Sequence, residues 1–328
     1  MKRKIAFILI IIFALLVVFF TPFIGSTKIP FSVLKSFDLA TTTAQIFYSL
    51  RLPRVLTAFL AGAALACCGV ALQAMFRNPL ATPFTLGISG GAAFGAAVYV
   101  IFAASIPIIY GGIMFSFAGA LGAVLLVYGL TRIKKGFSVG TMLLAGIAVN
   151  FFFSSLILFL QYKSDFTQSF RIIHWLMGSV NVTSFQTPMV LFVFTAAGAA
   201  IITAQGMNLN LMSISDEIAI SRGVNILNTR KIVFIATSIM VAGVVAFCGP
   251  IGFVGLMAPH ICRLLVGHDH KILTPASVLF GGAFLALCDT IARTIIAPAE
   301  MPVGVITALL GGPFFVWLLL KDKSISNL

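Results

Sequence analysis

Residues 54–76 read RVLTAFLAGAALACCGVALQAMF, a run whose one charge is the arginine that opens it. At 1.5 Å per residue these 23 positions make a helix of roughly 35 Å, enough to cross a hydrocarbon core of about 30 Å. Comparable apolar segments follow outward in both directions, at 5–24, 87–104, 108–131, 139–162, 184–206, 231–248, 272–297 and 303–320. A shorter one lies at 257–267. Together they predict an all-α integral membrane protein of about ten transmembrane helices. No polar block between them is large enough to fold separately, so residues 1–328 read as a single membrane domain.

The composition agrees. Apolar residues make up 60% of the 328 positions and charged ones only 9%, against roughly a quarter charged in soluble domains. The net charge of +13 does not point to nucleic acid, because the basic residues sit in small clusters between apolar runs and no aromatic-basic module accompanies them. Cys67, Cys68, Cys248, Cys262 and Cys288 lie in or at the ends of apolar segments without metal or redox spacing, and read as small packed hydrophobes. Lys2-Arg3-Lys4 and the apolar stretch to Phe23 have the outline of a secretory signal. The apolar part exceeds the 7–15 residues typical of one and no small-x-small site follows before Pro30, so it is expected to stay as the first helix.

The segment 257–267 is too short to span. It lies between Gly249-Pro250-Ile251-Gly252-Phe253-Val254-Gly255 and the polar His268-Asp269-His270-Lys271. It can cross only as a half-helix whose irregular approach is buried among neighbours, and broken helices usually line cavities. Small residues are dense within the spans, at Gly62-Ala63-Ala64, in the Gly91/Gly95 GxxxG pair, at Gly119 with Gly122 and at Gly281-Gly282-Ala283. They predict close helix crossings in a tight bundle.

With the N-terminus inside, cytoplasmic stretches hold fourteen basic residues: Lys2, Arg3, Lys4, Arg77, Arg132, Lys134, Lys135, Arg222, Arg230, Lys231, Arg263, Lys271, Lys321 and Lys323. The opposite side holds seven: Lys28, Lys35, Arg51, Arg54, Lys163, Arg171 and Arg293. This bias favours an even number of crossings and two cytoplasmic termini. The longest hydrophilic interruption, 207–230, falls on the cytoplasmic side. There Ser215 is placed to cap a short helix, Asp216 and Glu217 sit in its positive first turn, and Gly223 can close it in the left-handed conformation. An amphipathic helix with an exposed Ile/Ala face is a natural docking element for a soluble partner, although a plain connector would look similar.

No G-x-x-x-x-G-K-[ST] occurs, so any ATP drive must come from another subunit. Hydrolase and zincin motifs are also missing. His268-Asp269-His270 reads as a solvated loop or partner contact rather than a metal site, His260 as a packed imidazole, and His174 as an interfacial residue beside Trp175. Asp289 and Arg293, spaced i and i+4, can pair within the ninth span, with Glu300 just beyond. An ion-coupled carrier needs a longer relay of such groups, yet Gln73 and Asn150 keep that alternative open.

Several motifs then become specific. Arg51-Leu52-Pro53-Arg54 precedes Gly69-Val70-Ala71-Leu72-Gln73-Ala74-Met75-Phe76-Arg77-Asn78-Pro79-Leu80-Ala81-Thr82-Pro83 and Leu86-Gly87-Ile88-Ser89-Gly90-Gly91-Ala92. Trp175-Leu176-Met177-Gly178-Ser179, Gly249 through His260, and Pro302 through Pro313 follow in order. These closely resemble the permeases of iron-siderophore, haem and cobalamin ABC importers, the FecCD/BtuC-like family. The resemblance implies a type II importer fold: two ten-helix permeases around a central pathway, two cytoplasmic ATPases that hold the ATP and Mg, and an extracytoplasmic binding protein. This chain would be no enzyme and would bind no cofactor itself.

By the same resemblance, Arg51, Arg54 and Arg293 would receive acidic residues of the binding protein. The 213–229 stretch, with Ser215, Asp216, Glu217, Ala219, Arg222 and Gly223, would seat in a cleft of the ATPase. Cytoplasmic gates would map onto Asn78, Pro79 and Leu80 and onto Val139, Gly140 and Thr141, with Val139-Gly140 standing where relatives often carry small hydroxyl residues. The expected cargo is a metal chelate, most concretely an iron-siderophore complex moved by a homodimer in a bacterial inner membrane, with haem, cobalamin or an oxyanion as alternatives.

Overall fold

The computed structural model describes residues 2–34, 41–103, 110–133, 138–182 and 184–321; Lys35, Lys134, Lys135 and Lys323 from the charge count lie outside them. Fourteen α-helices and no strand occur among the described residues. The helices are α1 (Lys2–Phe20), α2 (Thr42–Gln45), α3 (Leu52–Phe76), α4 (Ile88–Val98), α5 (Gly111–Ile133), α6 (Val139–Lys163) and α7 (Phe166–Leu176). They continue with α8 (Gln186–Ala204), α9 (Gly206–Met212), α10 (Asp216–Ser221), α11 (Ile226–Cys248), α12 (Val254–Val266), α13 (His270–Ala292) and α14 (Val303–Lys321).

Every apolar segment read from the sequence holds a helix. Seven are long and apolar enough to cross a membrane, and three shorter apolar helices accompany them: 88–102, α12 and 303–318. The second span starts earlier than the hydropathy implies, because helix runs unbroken from Thr42 to Phe76. Pro53 has no N–H to give to the preceding turn, and that turn widens into a π-helix over Ile46–Arg51, with the Leu52 N–H reaching the Phe47 carbonyl five residues back. The ninth span stops at Ala292 instead of 297. Arg293 caps it, Thr294 turns its hydroxyl back to the Thr290 carbonyl at 2.7 Å, and Pro298 cannot continue a helix.

The core is built around α3. Every residue from Ala61 to Phe76 is buried, as expected for a helix that is apolar all round, and α13, α8, α11 and α12 pack on it. Glycines set these distances. A Cβ on Gly62 would stand 2.2 Å from the Gly281 carbonyl oxygen on α13, and one on Gly69 1.8 Å from that of Gly255 on α12. The Gly91/Gly95 pair marks the α4–α5 crossing, where a Cβ would meet the Gly119 and Phe115 carbonyls at 2.4 and 2.0 Å. Gly122 meets nothing within 4 Å, so only part of that small-residue set is used in packing.

The half-helix is α12, starting three residues earlier than expected. Gly249 and Phe253 both take φ of +67° in the irregular approach, and Ile251 and Val254 there are fully buried. Gly255, in its first turn, lies against Gly69, well inside α3. Its carbonyl accepts from Gln73 Nε2 at 3.3 Å, while Gln73 Oε1 accepts from Arg263 Nη2 at 2.8 Å. The polar Gln73 therefore ties the half-helix to α3.

Candidate docking, gate and coupling sites

Arg54 and Arg77 bracket α3, and at 1.5 Å per residue their Cα atoms lie roughly 35 Å apart. A charged cluster forms around each.

At the Arg54 end the three predicted docking arginines, with Glu300, line one cavity of about 330 Å³. Arg51 sits inside the π turn, where its Nη1 donates to the carbonyls of Pro22 (3.3 Å) and Phe23 (3.2 Å) and its Nη2 to that of Thr27 (2.6 Å). Arg54 donates from Nε and Nη2 to both oxygens of the fully buried Asp289 at 3.0–3.1 Å, and from Nη1 to Glu300 Oε2 at 2.7 Å. Arg293 Nη2 donates to the Thr21 carbonyl at 2.7 Å. The predicted i,i+4 pair is present only as a long contact, Arg293 Nε to Asp289 Oδ2 at 3.9 Å. Asp289 takes Arg54 as its close partner, whose guanidinium reaches both carboxylate oxygens in the fork geometry that makes such pairs strong. All three guanidinium groups are thus held by acceptors of this chain.

At the other end α10 forms as the local signals require. The Ser215 side chain accepts from the Ile218 N–H at 3.0 Å, and Asp216 and Glu217 occupy the first turn. The Val224 N–H closes back on the Ala219 carbonyl at 2.9 Å over Gly223, whose φ is +80°. The Glu217 carboxyl is held below the usual range by its own backbone N–H and then by the Ser215 hydroxyl. One expectation is corrected: Ala219 is fully buried, so the outward face is not Ile/Ala but Ile218 and Ile220, flanked by Ile214. Arg222 and Gly223 are exposed beside it.

Asp216 does more than balance the helix dipole. Its carboxylate accepts from Arg230 Nη2 at 2.8 and 3.1 Å and pairs with Arg77. That joins α10 to α11 and to the left-handed residue that ends α3. Asn78 comes next, its Oδ1 accepting from the Leu80 N–H at 2.8 Å, with Pro79 and Leu80 exposed. One of the predicted gates is therefore a residue away from an ion-paired anchor of the predicted coupling helix. The second gate opens α6: the Ser138 hydroxyl accepts from the Thr141 N–H at 3.2 Å and lies 2.7 Å from its Oγ1. Two hydroxyls thus flank Val139 and Gly140. The turn 83–86 meets α6 at Gly146, five residues past Thr141.

His268-Asp269-His270 is another correction, since His270 is buried rather than solvated. Asp269 caps α13, and Asn210 bridges Asp269 Oδ1 at 2.8 Å and His270 Nδ1 at 2.6 Å. Sequence reasoning missed Arg77 and Arg230 as partners of Asp216 and Glu300 as a partner of Arg54, and no local signal pairs residues so far apart. It also missed α7, which had a signal: Asp165 and Gln168 form a reciprocal capping box.

With this geometry established, comparison with known proteins places the chain. A model of the FecCD transport family matches residues 8–321. The chain is 37% identical over 302 residues to a hemin transport system permease protein, HmuU, of Yersinia pestis, covering 91% of this chain and 90% of that one. It is 36% identical over 280 residues to a molybdate import system permease protein, MolB, of Haemophilus influenzae, covering 85% and 82%. A solved inward-facing structure of a candidate metal-chelate type ABC transporter superposes with a TM-score of 0.84 at 32% identity, covering 97% of this chain and 99% of that one. The chain belongs to the FecCD transport family and is a multi-pass ABC importer permease of the type II fold, whose ATPase is a separate subunit.

Proposed function

We propose that this permease moves a metal chelate, most concretely an iron-siderophore complex, as a homodimer in a bacterial inner membrane with both termini cytoplasmic. The observation that carries the reading is the pair of charged clusters at opposite ends of α3. The Arg51/Arg54/Arg293 cavity would receive acidic groups of a binding protein at the outer end. Ile218 and Ile220 of α10 would enter the ATPase at the inner end. Closure of the ATPase dimer would push α10, and the Asp216–Arg77 pair would pass that motion to the end of α3 and the Asn78-Pro79-Leu80 turn, a rigid-body shift with no covalent step. The nucleotide and Mg would be held by the ATPase, and this chain would need no cofactor of its own.

The relatives support a chelate in general terms, and the hemin permease makes haem the second choice. Proteoliposomes holding this chain with its ATPase and binding protein should take up a ferric siderophore when ATP is supplied, and vesicles holding this chain alone should not. Uptake by the chain alone that an uncoupler abolishes would overturn the importer reading. ATP-driven uptake of haem but not of any ferric siderophore would overturn only the cargo.

A further inference from the structure

A groove of about 390 Å³ opens between the first turns of α1 and α13. Its walls are apolar, chiefly Phe7, Ile272 and Pro275, and its rim carries Arg3, Lys4 and Lys271. Among the described residues none of these three cations enters an ion pair. The Asp269 carboxylate, which interacts with the Lys271 charge, is already engaged by the Asn210 amide and the Lys271 N–H. The Arg3 guanidinium lies over the turn that ends α12, 3.2–3.4 Å from where a Cβ on Gly267 would stand. Three cations from two membrane helices therefore converge above an apolar trough.

From this geometry we infer that the groove is a binding site for an anionic phospholipid. The phosphate would sit among Arg3, Lys4 and Lys271, and an acyl chain would run along Phe7 and Pro275. The two halves of the site require both parts of such a molecule. A free phosphate would leave the apolar walls uncovered, and a zwitterionic lipid would bring an ammonium against three cations. Basic pockets between membrane helices at the headgroup level hold acidic lipids for this reason. A bound headgroup would also staple α1 to α13 and, through Arg3, to the end of α12.

The test uses the full purified chain, delipidated in neutral detergent, with lipid retention read by native mass spectrometry and thermal stability measured in parallel. The probes are phosphatidylglycerol, phosphatidylcholine of equal chain length, and glycerol phosphate. Each basic side chain near the surface is worth roughly a fivefold preference, so retention of phosphatidylglycerol over phosphatidylcholine should be at least about tenfold. That preference should fall toward unity in the combined variant Arg3→Gln, Lys4→Gln, Lys271→Gln and persist in Arg132→Gln. Should the combined variant fail to fold, Lys271→Gln alone should still lower the ratio severalfold. Equal retention of the two lipids, a preference that survives in the variants, or stabilisation by glycerol phosphate equal to that by the lipid would overturn the inference.

Discussion

Replacing Gly69 by alanine tests the α3–α12 crossing directly. The new Cβ would stand 1.8 Å from the Gly255 carbonyl oxygen and 2.7 Å from its carbon. Both obstacles are backbone and cannot rotate away. Reaching the 3.0 Å below which real Cβ contacts essentially do not occur needs a displacement of about 1.2 Å in a close-packed interior. With α3 buried on all sides here, that shift presses on α8, α11 and α13 as well. Overpacking of this kind costs about 1–3 kcal/mol. Stretching the 3.3 Å Gln73–Gly255 hydrogen bond adds on the order of 1 kcal/mol. Gly122→Ala is the matched control, because its Cβ meets nothing within 4 Å and alanine is the better helix former. In detergent, Gly69→Ala should unfold several degrees below the parent chain with a lower monodisperse yield, while Gly122→Ala should match or exceed it. Equal unfolding temperatures for the two variants would refute the crossing as described.

Three further outcomes follow from the charged clusters. Asp216→Ala takes the carboxylate away from Arg77 and Arg230; with Asp216 about a third exposed, the stability loss should be only about 1 kcal/mol, yet solute moved per ATP hydrolysed should fall sharply, and unchanged coupling would remove Asp216 from the transmission path. Glu300→Gln frees one prong of Arg54 and leaves the buried Asp289 pair intact. Its thermal stability should hardly change while affinity for an acidic binding-protein surface rises, as calorimetry would report; weaker docking would mean that Glu300 is itself a contact. Asp269 is held below the usual carboxylate range, first by the Asn210 amide and then by the Lys271 N–H. A depressed folded value means that its contribution is complete above the ordinary aspartate value of about 3.9 and is lost as pH falls through the lower one. Asp269→Ala should therefore cost about 1 kcal/mol at neutral pH and flatten the acid limb of a stability–pH curve; an unchanged limb would assign it to another group.

Much of the molecule was legible because the deciding physics is local. Hydropathy over about twenty consecutive residues is a property of the chain itself, so the ten apolar segments, the short eighth among them, could be read directly. Caps are equally local: Ser215 and Gly223 bound α10 where their positions imply. The early start of the second span was not legible, because residues 42–53 carry Thr, Gln, Ser, Arg and Pro and are held helical by packing that hydropathy does not register. Nor was the burial of Ala219, since a short helix shows its period but not which side its neighbours cover.

Two kinds of knowledge therefore separate cleanly. The order of residues alone determined that the chain lives in a bilayer, that it has no P-loop of its own, and which stretches could meet a partner. Only the tertiary structure decided that Asp289 pairs closely with Arg54, 235 positions away, rather than with Arg293 one helical turn on, and that Asp216 ties Arg77 to Arg230. A carboxylate in low dielectric goes to the guanidinium that can approach it with the best geometry, and which one does so is set by how the helices cross.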